Sequence, residues 1–229
     1  MTLDLISATL KWPGYLDCLA SWHYPVMILD NAESGDTLME SYQKAFVESD
    51  ADIIAYVHDD LVCLDPFWLQ KVENEFSDPS VGLVGFAGAL GHGDPMMYTK
   101  PYQLSQLGRS SFRSNLKEAE KHGERFTGAC DVAVLDGLAL FVRREVLEKC
   151  GGWPQPPSPI DYIAYDYWIS CMTRRLGYRI RLAGVDCDHL GGKSTGLNPN
   201  LGDAKFQEAH WEIYDNFRDV LPYRVREGK

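Results

Sequence analysis

This chain of 229 residues carries 33 acidic against 22 basic side chains, a net charge of −11. Such a field repels polyphosphate backbones, which excludes electrostatically driven DNA or RNA binding as the main activity, and it suits divalent cations. With 45% apolar residues, the length fits one full-size α/β domain whose core needs no disulfide staples.

Leu3–Thr9 reads as a first strand ending in Ser7, Ala8 and Thr9, and Tyr15–Trp22 as a short helix. Val26–Leu29 is a second strand, closed by the turn formers of 30–36. Leu38, Tyr42, Ala45 and Phe46 recur at helical spacing, which predicts a helix over Thr37–Val47 with Asp36 as its cap. Ile53–Val57 shows five apolar residues with no polar alternation, the pattern of a strand buried on both faces. It stops at His58-Asp59-Asp60, so two carboxylates arrive at the carboxyl end of a strand, where ligands of open α/β sheets collect. Asp65-Pro66 then opens a helix to Phe76, with an acid as cap and proline in its first turn. Val81–Phe86 is another apolar strand, running into the glycine-rich Ala87–Gly93.

The middle, Asp94–Gly128, changes character. Apolar periodicity fades, Lys100, Arg109, Arg113, Lys117, Lys121 and Arg125 gather, and Asn115–His122 has the makings of a short helix. Two readings stand, a solvated insertion or a mobile flap on the acceptor side. Val132–Leu135 resumes strand character before Asp136-Gly137, followed by a strand at Leu138–Val142 and a helix at Arg143–Lys149. Gly151-Gly152-Trp153 and Pro154–Pro159 predict a rigid surface loop, with Trp153 exposed enough to stack on a sugar ring. Tyr162–Leu176 is helical, with Tyr165, Trp168, Met172 and Leu176 on one stripe and Trp168 in the core. Arg179–Val185 is a last strand, ending in Asp186-Cys187-Asp188-His189; a glycine-rich stretch, Leu190–Gly202, leads to a helix at about Ala204–Val220. Alternating strands and helices make a doubly wound α/β pattern.

The six cysteines are scattered without a CxxC pair, as expected of reduced thiols in a cytoplasmic protein. Met1–Leu10 lacks the basic start of a signal peptide, and no stretch approaches the ~18 apolar residues of a membrane span.

A literal D-x-D occurs at Asp50/Asp52, at the entrance of the central strand, where it reads as a turn. It recurs at Asp186/Asp188, at a strand exit beside His189. Asp60 and His189 both lie at carboxyl ends of strands and are placed to meet across the sheet edge around a divalent ion. The plainer alternative is that the acids only cap the next turn. Gly191, Gly192, Lys193, Ser194 and Thr195 suit a cover over a pyrophosphate.

Six collinear segments carry a resemblance: LDNAESGD (29–36), YVHDDLVCLDPFW (56–68), VGLVGFAG (81–88), LDGLALFVRREVLEKCGGW (135–153), YDYWISCMTRRLGYRI (165–180) and HLGGKSTG (189–196). Together they cover most of the chain, which resembles GT-A-fold glycosyltransferases of the family-two-like, inverting group that uses nucleotide-sugar donors. The resemblance implies an α/β, Rossmann-like, mainly parallel mixed sheet in one domain. Within it, 1–93 is a nucleotide-binding half, 94–128 the insertion, 129–203 the acceptor and metal half, and 204–229 a C-terminal helix. It implies that Ser7, Thr9, Asp30 and Asn31 hold the nucleobase and Asp59 the ribose, while Lys193 with Ser194 is placed by its own chemistry to cover the diphosphate. Asp60 and His189 would bind Mn²⁺ or Mg²⁺, Asp136 and Gly137 would sit under donor sugar or acceptor, and Asp166 would be the base.

Two departures stand out. The metal motif reads HDD, which leaves the roles of Asp59 and Asp60 interchangeable, and the base motif offers one acid, Asp166, after Tyr165. Transfer from a nucleotide sugar, with UDP as the commonest donor base, expels a diphosphate whose charge a metal and Lys193 would offset. Asp166 lies in the first turns of its helix, where the dipole favours the ionised form. The rivals are a nucleotidyltransferase, which would carry a Gly-rich basic loop after the first strand where 8–13 offers only Lys11, and a non-catalytic sugar- or nucleotide-binding module. The acceptor is open among glycan, small molecule, protein and modified nucleobase.

Overall fold

The computed structural model describes residues 1–10, 15–92, 112–117, 119–121, 123–156, 164–190, 199–221 and 223–225. The first half of the chain gives β1 (Leu3–Thr9), α1 (Leu16–Ala20), β2 (Val26–Asp30), α2 (Asn31–Ser34), α3 (Leu38–Glu48), β3 (Ile53–Val57), β4 (Leu61–Cys63) and α4 (Trp68–Phe76). Then come β5 (Val81–Gly85), β6 (Ala87–Ala89), β7 (Gly91–His92), β8 (Phe112–Ser114), β9 (Glu124–Arg125), β10 (Ala129–Asp131), β11 (Val134–Leu135) and β12 (Ala139–Arg143). The chain closes with α5 (Arg144–Cys150), α6 (Tyr165–Arg175), β13 (Arg179–Ala183), β14 (Cys187–His189), α7 (Pro199–Asn216) and β15 (Tyr223–Arg224).

Seven strands form the main sheet in the order β10-β13-β5-β12-β3-β1-β2. β1 pairs in parallel with β2 and β3, and β5 with β13, while β12 runs antiparallel between β3 and β5 and β10 antiparallel along β13. The sheet is therefore mixed and mainly parallel. β3 lies inside it, and both of its faces are covered. Ile53, Ala55 and Val57 face Trp22, Trp68 and Phe141, whereas Ile54 and Tyr56 face Tyr42, Leu140 and Ile169. That two-sided burial is why its sequence shows no alternation. Each large apolar side chain so buried contributes about 1.5–3 kcal/mol.

Local chemistry moves some boundaries. Thr37, not Asp36, caps α3, in a capping box where Glu40 N donates to Thr37 Oγ1 (3.3 Å) and Thr37 N to Glu40 Oε2 (2.8 Å). Asp36 pairs with Lys44 instead. Asp65 and Pro66 form a turn ahead of α4, with Phe67 N donating to Asp65 Oδ1 (2.9 Å) and Lys71 held by Oδ2 (2.6 Å). α7 starts at Pro199 and ends at Asn216, earlier at both ends than its periodicity suggests.

The larger differences are tertiary. Part of the glycine-rich 87–93 is strand: β6 joins β11, β8 and β9 in a four-stranded sheet. Gly88 permits this, because a Cβ there would stand 2.5 Å from the Val134 carbonyl of β11. In place of a helix over Asn115–His122 there is a single 3₁₀ turn, Ala119–Lys121. The last strand ends at Ala183, and Cys187–His189 forms its own strand against β4. Among the described residues, no helix is long and apolar enough to cross a membrane.

Candidate active site

The turn after β3 and the β4–β14 ribbon build the centre. His58 N donates to the Leu138 carbonyl (3.0 Å), and Leu61 N returns to the His58 carbonyl (3.3 Å), which closes a tight turn over 58–60. The ribbon sets His189 opposite Leu61, and Leu190 N donates to the Asp60 carbonyl (3.0 Å). Asp60 and His189 are thus side by side, with His189 Nε2 3.2 Å from Asp60 Oδ1. His58, which the sequence reading left out of the site, completes the group. Its Nδ1 lies 3.4 Å from His189 Nε2 and 4.0 Å from Asp60 Oδ1.

Three such atoms fit one divalent cation. Ligands about 2.1 Å from an ion stand roughly 3.0–3.5 Å apart around an octahedron or tetrahedron, which two of the three edges match, the third being longer at 4.0 Å. Asp60 is 4% exposed, and both imidazoles are half-buried. Burial is the largest influence on Asp60 and on His189 and works against charge on each, yet their mutual hydrogen bond and the attraction of the surrounding opposite charges together outweigh it. The Asp60 carboxyl is held below its ordinary range and the His189 imidazole above it. Burial and the neighbouring His189 press His58 down, so a neutral imidazole adjoins a charged pair. Asp188, from the second D-x-D, spends its carboxylate on Lys117 (2.9 Å).

A second group abuts the first. Gly137 N donates to Asp166 Oδ2 (3.0 Å), and the Tyr165 hydroxyl donates to the Gly137 carbonyl (3.2 Å). The same hydroxyl lies 3.1 Å from His58 Nε2. Asp166 and the His58–Asp60–His189 group are therefore joined by hydrogen bonds through Gly137 and Tyr165. Residue 137 must be glycine, since a Cβ there would collide with the Tyr165 hydroxyl. Asp136 accepts from Leu138 N (3.1 Å), and its charge reaches His58, His189 and Asp166. The helix-dipole expectation for Asp166 is corrected here. Burial and the Asp136 charge push its carboxyl well above the usual range, against the backbone N–H groups of Tyr167 and Gly137 that pull it down.

Other expected residues have different surroundings. Trp153 is 3% exposed, donates Nε1 to Met39 Sδ (3.0 Å) and packs on Tyr42 and Tyr56 with centroids 5.0 and 4.4 Å away. It is core beneath the site, not an exposed stacking platform. Trp168, expected in the core, is only half-buried, against Phe217. Ser7 is wholly buried, and Thr9, nearly so, gives its hydroxyl to Asp59 Oδ2. Asp30 caps α2 by accepting from Ala32 N (3.0 Å) and Glu33 N (3.2 Å), and the buried Asn31 accepts from Ser41 Oγ (2.6 Å). Lys193 and Ser194 lie outside the described residues.

Residues 14–185 match the profile of a glycosyltransferase-like family. No curated protein sequence matches the chain. Among solved structures, the chain is similar to a mannosyltransferase from Pyrobaculum calidifontis in complex with GDP-mannose and Mn²⁺, with 16% identity, TM-score 0.55, and 93% of this chain and 70% of that one covered. It is also similar to GalNAc-T7 with UDP, GalNAc and Mn²⁺ (10%, TM-score 0.59, 96% and 50% covered). A third likeness is to glucosyl-3-phosphoglycerate synthase from Mycobacterium tuberculosis with Mg²⁺ and UDP (14%, TM-score 0.57, 95% and 79% covered). At these identities the likeness is one of fold, and the fold is GT-A.

Proposed function

The chain belongs to the glycosyltransferase-like family, and on that premise we propose that it transfers a hexosyl or pentosyl unit from a nucleotide sugar to an acceptor hydroxyl. The observation that carries this reading is the His58–Asp60–His189 group at the carboxyl end of β3. Two imidazoles beside one carboxylate suit Mn²⁺ better than Mg²⁺, which prefers an all-oxygen shell. The Mn²⁺ held by two of the compared glycosyltransferases supports the same choice, and the UDP held by two of them supports a UDP-sugar donor.

In this proposal the whole chain is one catalytic domain. Asp59, oriented by Thr9, receives the ribose hydroxyls, and Lys193 and Ser194 cover the diphosphate. Bound at His58, Asp60 and His189, the cation supplies Lewis-acid charge for the departing diphosphate. Asp136 and Gly137 lie under the donor sugar and hold the base in place. Asp166 takes the proton of the acceptor hydroxyl as that oxygen attacks the anomeric carbon and the bond to the diphosphate breaks, an in-line displacement that inverts the centre. A carboxylate whose pKa is raised towards the working pH is a stronger base than an ordinary aspartate.

The test is thermal unfolding with a panel of nucleoside diphosphates, with and without Mn²⁺, on wild type and Asp60→Ala. A ligand at 100 times its dissociation constant stabilises by about 2.7 kcal/mol. A Mn²⁺-dependent rise for one nucleotide, lost in the variant, is the expected result. No rise with any nucleotide overturns the reading.

A further inference from the structure

All six cysteines are free thiols, and two of them face one another. In the β4–β14 ribbon Cys63 is directly opposite Cys187. The flanking ladder bonds run from Leu64 N to the Asp186 carbonyl (2.9 Å) and from Leu190 N to the Asp60 carbonyl (3.0 Å). Because ladder bonds alternate along an antiparallel pair, 64/186, 62/188 and 60/190 are the hydrogen-bonded positions. Cys63 and Cys187 occupy a non-hydrogen-bonded position between them, where Cα atoms approach to about 4.5 Å. Disulfides span Cα separations of roughly 4.4–6.8 Å. The Cys63 thiol, 6% exposed, donates to the Asp65 carbonyl (3.6 Å), and both cysteines belong to the same core cluster. The backbone therefore needs no rearrangement to accept a bond between them.

We propose that Cys63 and Cys187 form a disulfide site, a covalent clamp on the ribbon that carries Asp60 and His189. Its co-reactant is a small disulfide of the glutathione type. Cys63 is the entry point, since it lines a cleft of about 380 Å³ with Ser21, Tyr24, Leu64 and Asp65. Its thiolate attacks one sulfur of the small disulfide, whose S–S bond breaks and releases one thiol. Cys187, 0% exposed behind it, then attacks the Cys63 sulfur and displaces the second thiol. The protein gives up two electrons and two protons, and the oxidant takes up both to become two thiols.

The clamp acts on the site through the ribbon. A two-stranded ladder opens locally more readily than a sheet interior. A crosslink two residues from His189 and three from Asp60 ties together the strands that bring those side chains into contact.

The experiment equilibrates the full chain, without denaturant, in oxidised and reduced glutathione mixtures, then maps non-reduced digests by mass spectrometry. Cys63→Ser and Cys187→Ser serve as controls. The expected result is a peptide pair joined through Cys63 and Cys187 in wild type and absent from both variants. Exchange of the Leu64 and Leu190 amides should slow by about tenfold in the crosslinked protein, and the unfolding midpoint should rise by roughly 5–10 °C. Wild type that stays reduced at every ratio, or that carries only glutathione adducts or bonds at other cysteines, overturns the proposal. So does a 63–187 bond that leaves both amides exchanging as before.

Discussion

The Tyr165 hydroxyl stands 3.1 Å from His58 Nε2 and so determines which nitrogen of that imidazole carries the proton. A carbonyl can only accept, so the single hydroxyl proton goes to the Gly137 oxygen. The Tyr165 oxygen keeps its lone pairs, and one of them faces His58. His58 Nε2 must therefore be the N–H nitrogen, which leaves the Nδ1 lone pair facing Asp60 and His189. Partners of this kind fix the tautomer of metal-binding histidines.

Replacing Tyr165 by Phe keeps the ring and removes the arrangement. Mn²⁺ affinity, read by calorimetric titration, should fall roughly 10- to 100-fold. Nitrogen-15 spectra of the imidazoles at neutral pH should show His58 losing its single Nε2–H form. Unchanged affinity and an unchanged tautomer would both contradict the assignment.

Asp166→Asn should lower turnover by roughly 10²–10⁴-fold while nucleoside diphosphate affinity stays within a factor of two or so. The pH dependence has a definite sign. A raised pKa means the carboxyl keeps its proton to higher pH than an ordinary aspartate, so the acid limb of the rate profile lies above the usual carboxylate range. Asp136→Asn removes a negative neighbour and leaves the burial, so that limb should move to lower pH. An acid limb that does not respond to position 136 would mean that another group titrates there.

Trp153→Ala separates core from binding platform. Removal of a 3%-exposed indole packed on two tyrosines should cost about 3–5 kcal/mol in denaturant unfolding. Little loss of stability with a large loss of sugar affinity would restore the platform reading.

Gly137→Ala should fail for a steric reason. The new methyl meets the Tyr165 hydroxyl, and the cost of about 1–3 kcal/mol should appear together with weakened Mn²⁺ binding. Combined with Tyr165→Phe, part of the stability loss should return, which a double-mutant comparison reads directly.

Burial pattern decides what the sequence makes legible. β3 is readable because both of its faces are covered, so Ile53–Val57 is uninterrupted, and the acids that follow could be placed at its carboxyl end. His189 is readable because it ends a run beginning at Arg179, although the run proves to be two strands. His58 escaped notice because its partner nitrogen arrives only when β14 folds back on β4, and flanking acids draw attention from a lone imidazole. Trp153 misled because Gly151, Gly152 and Pro154 have loop composition, whereas its burial is decided by Tyr42 and Tyr56, far away in the chain. The strand at Ala87–Ala89 was hidden by the glycine that lets β11 approach.

The two histidines of the candidate centre are 131 residues apart in the chain, and the contact between them is made by one of the last strands. The β1–β3 part of the sheet and the centre can therefore form at different moments of folding. During synthesis β1, β2 and β3 can pair once about sixty residues have emerged, whereas the metal-binding group stays incomplete until β14 follows. Closing so long a loop is entropically costly and slow, which makes this site a late product of folding and not its nucleus. A nascent or half-folded chain thus exposes Asp59 and Asp60 without the histidine that completes the cage, and it gains the grip on a cation only as the architecture closes.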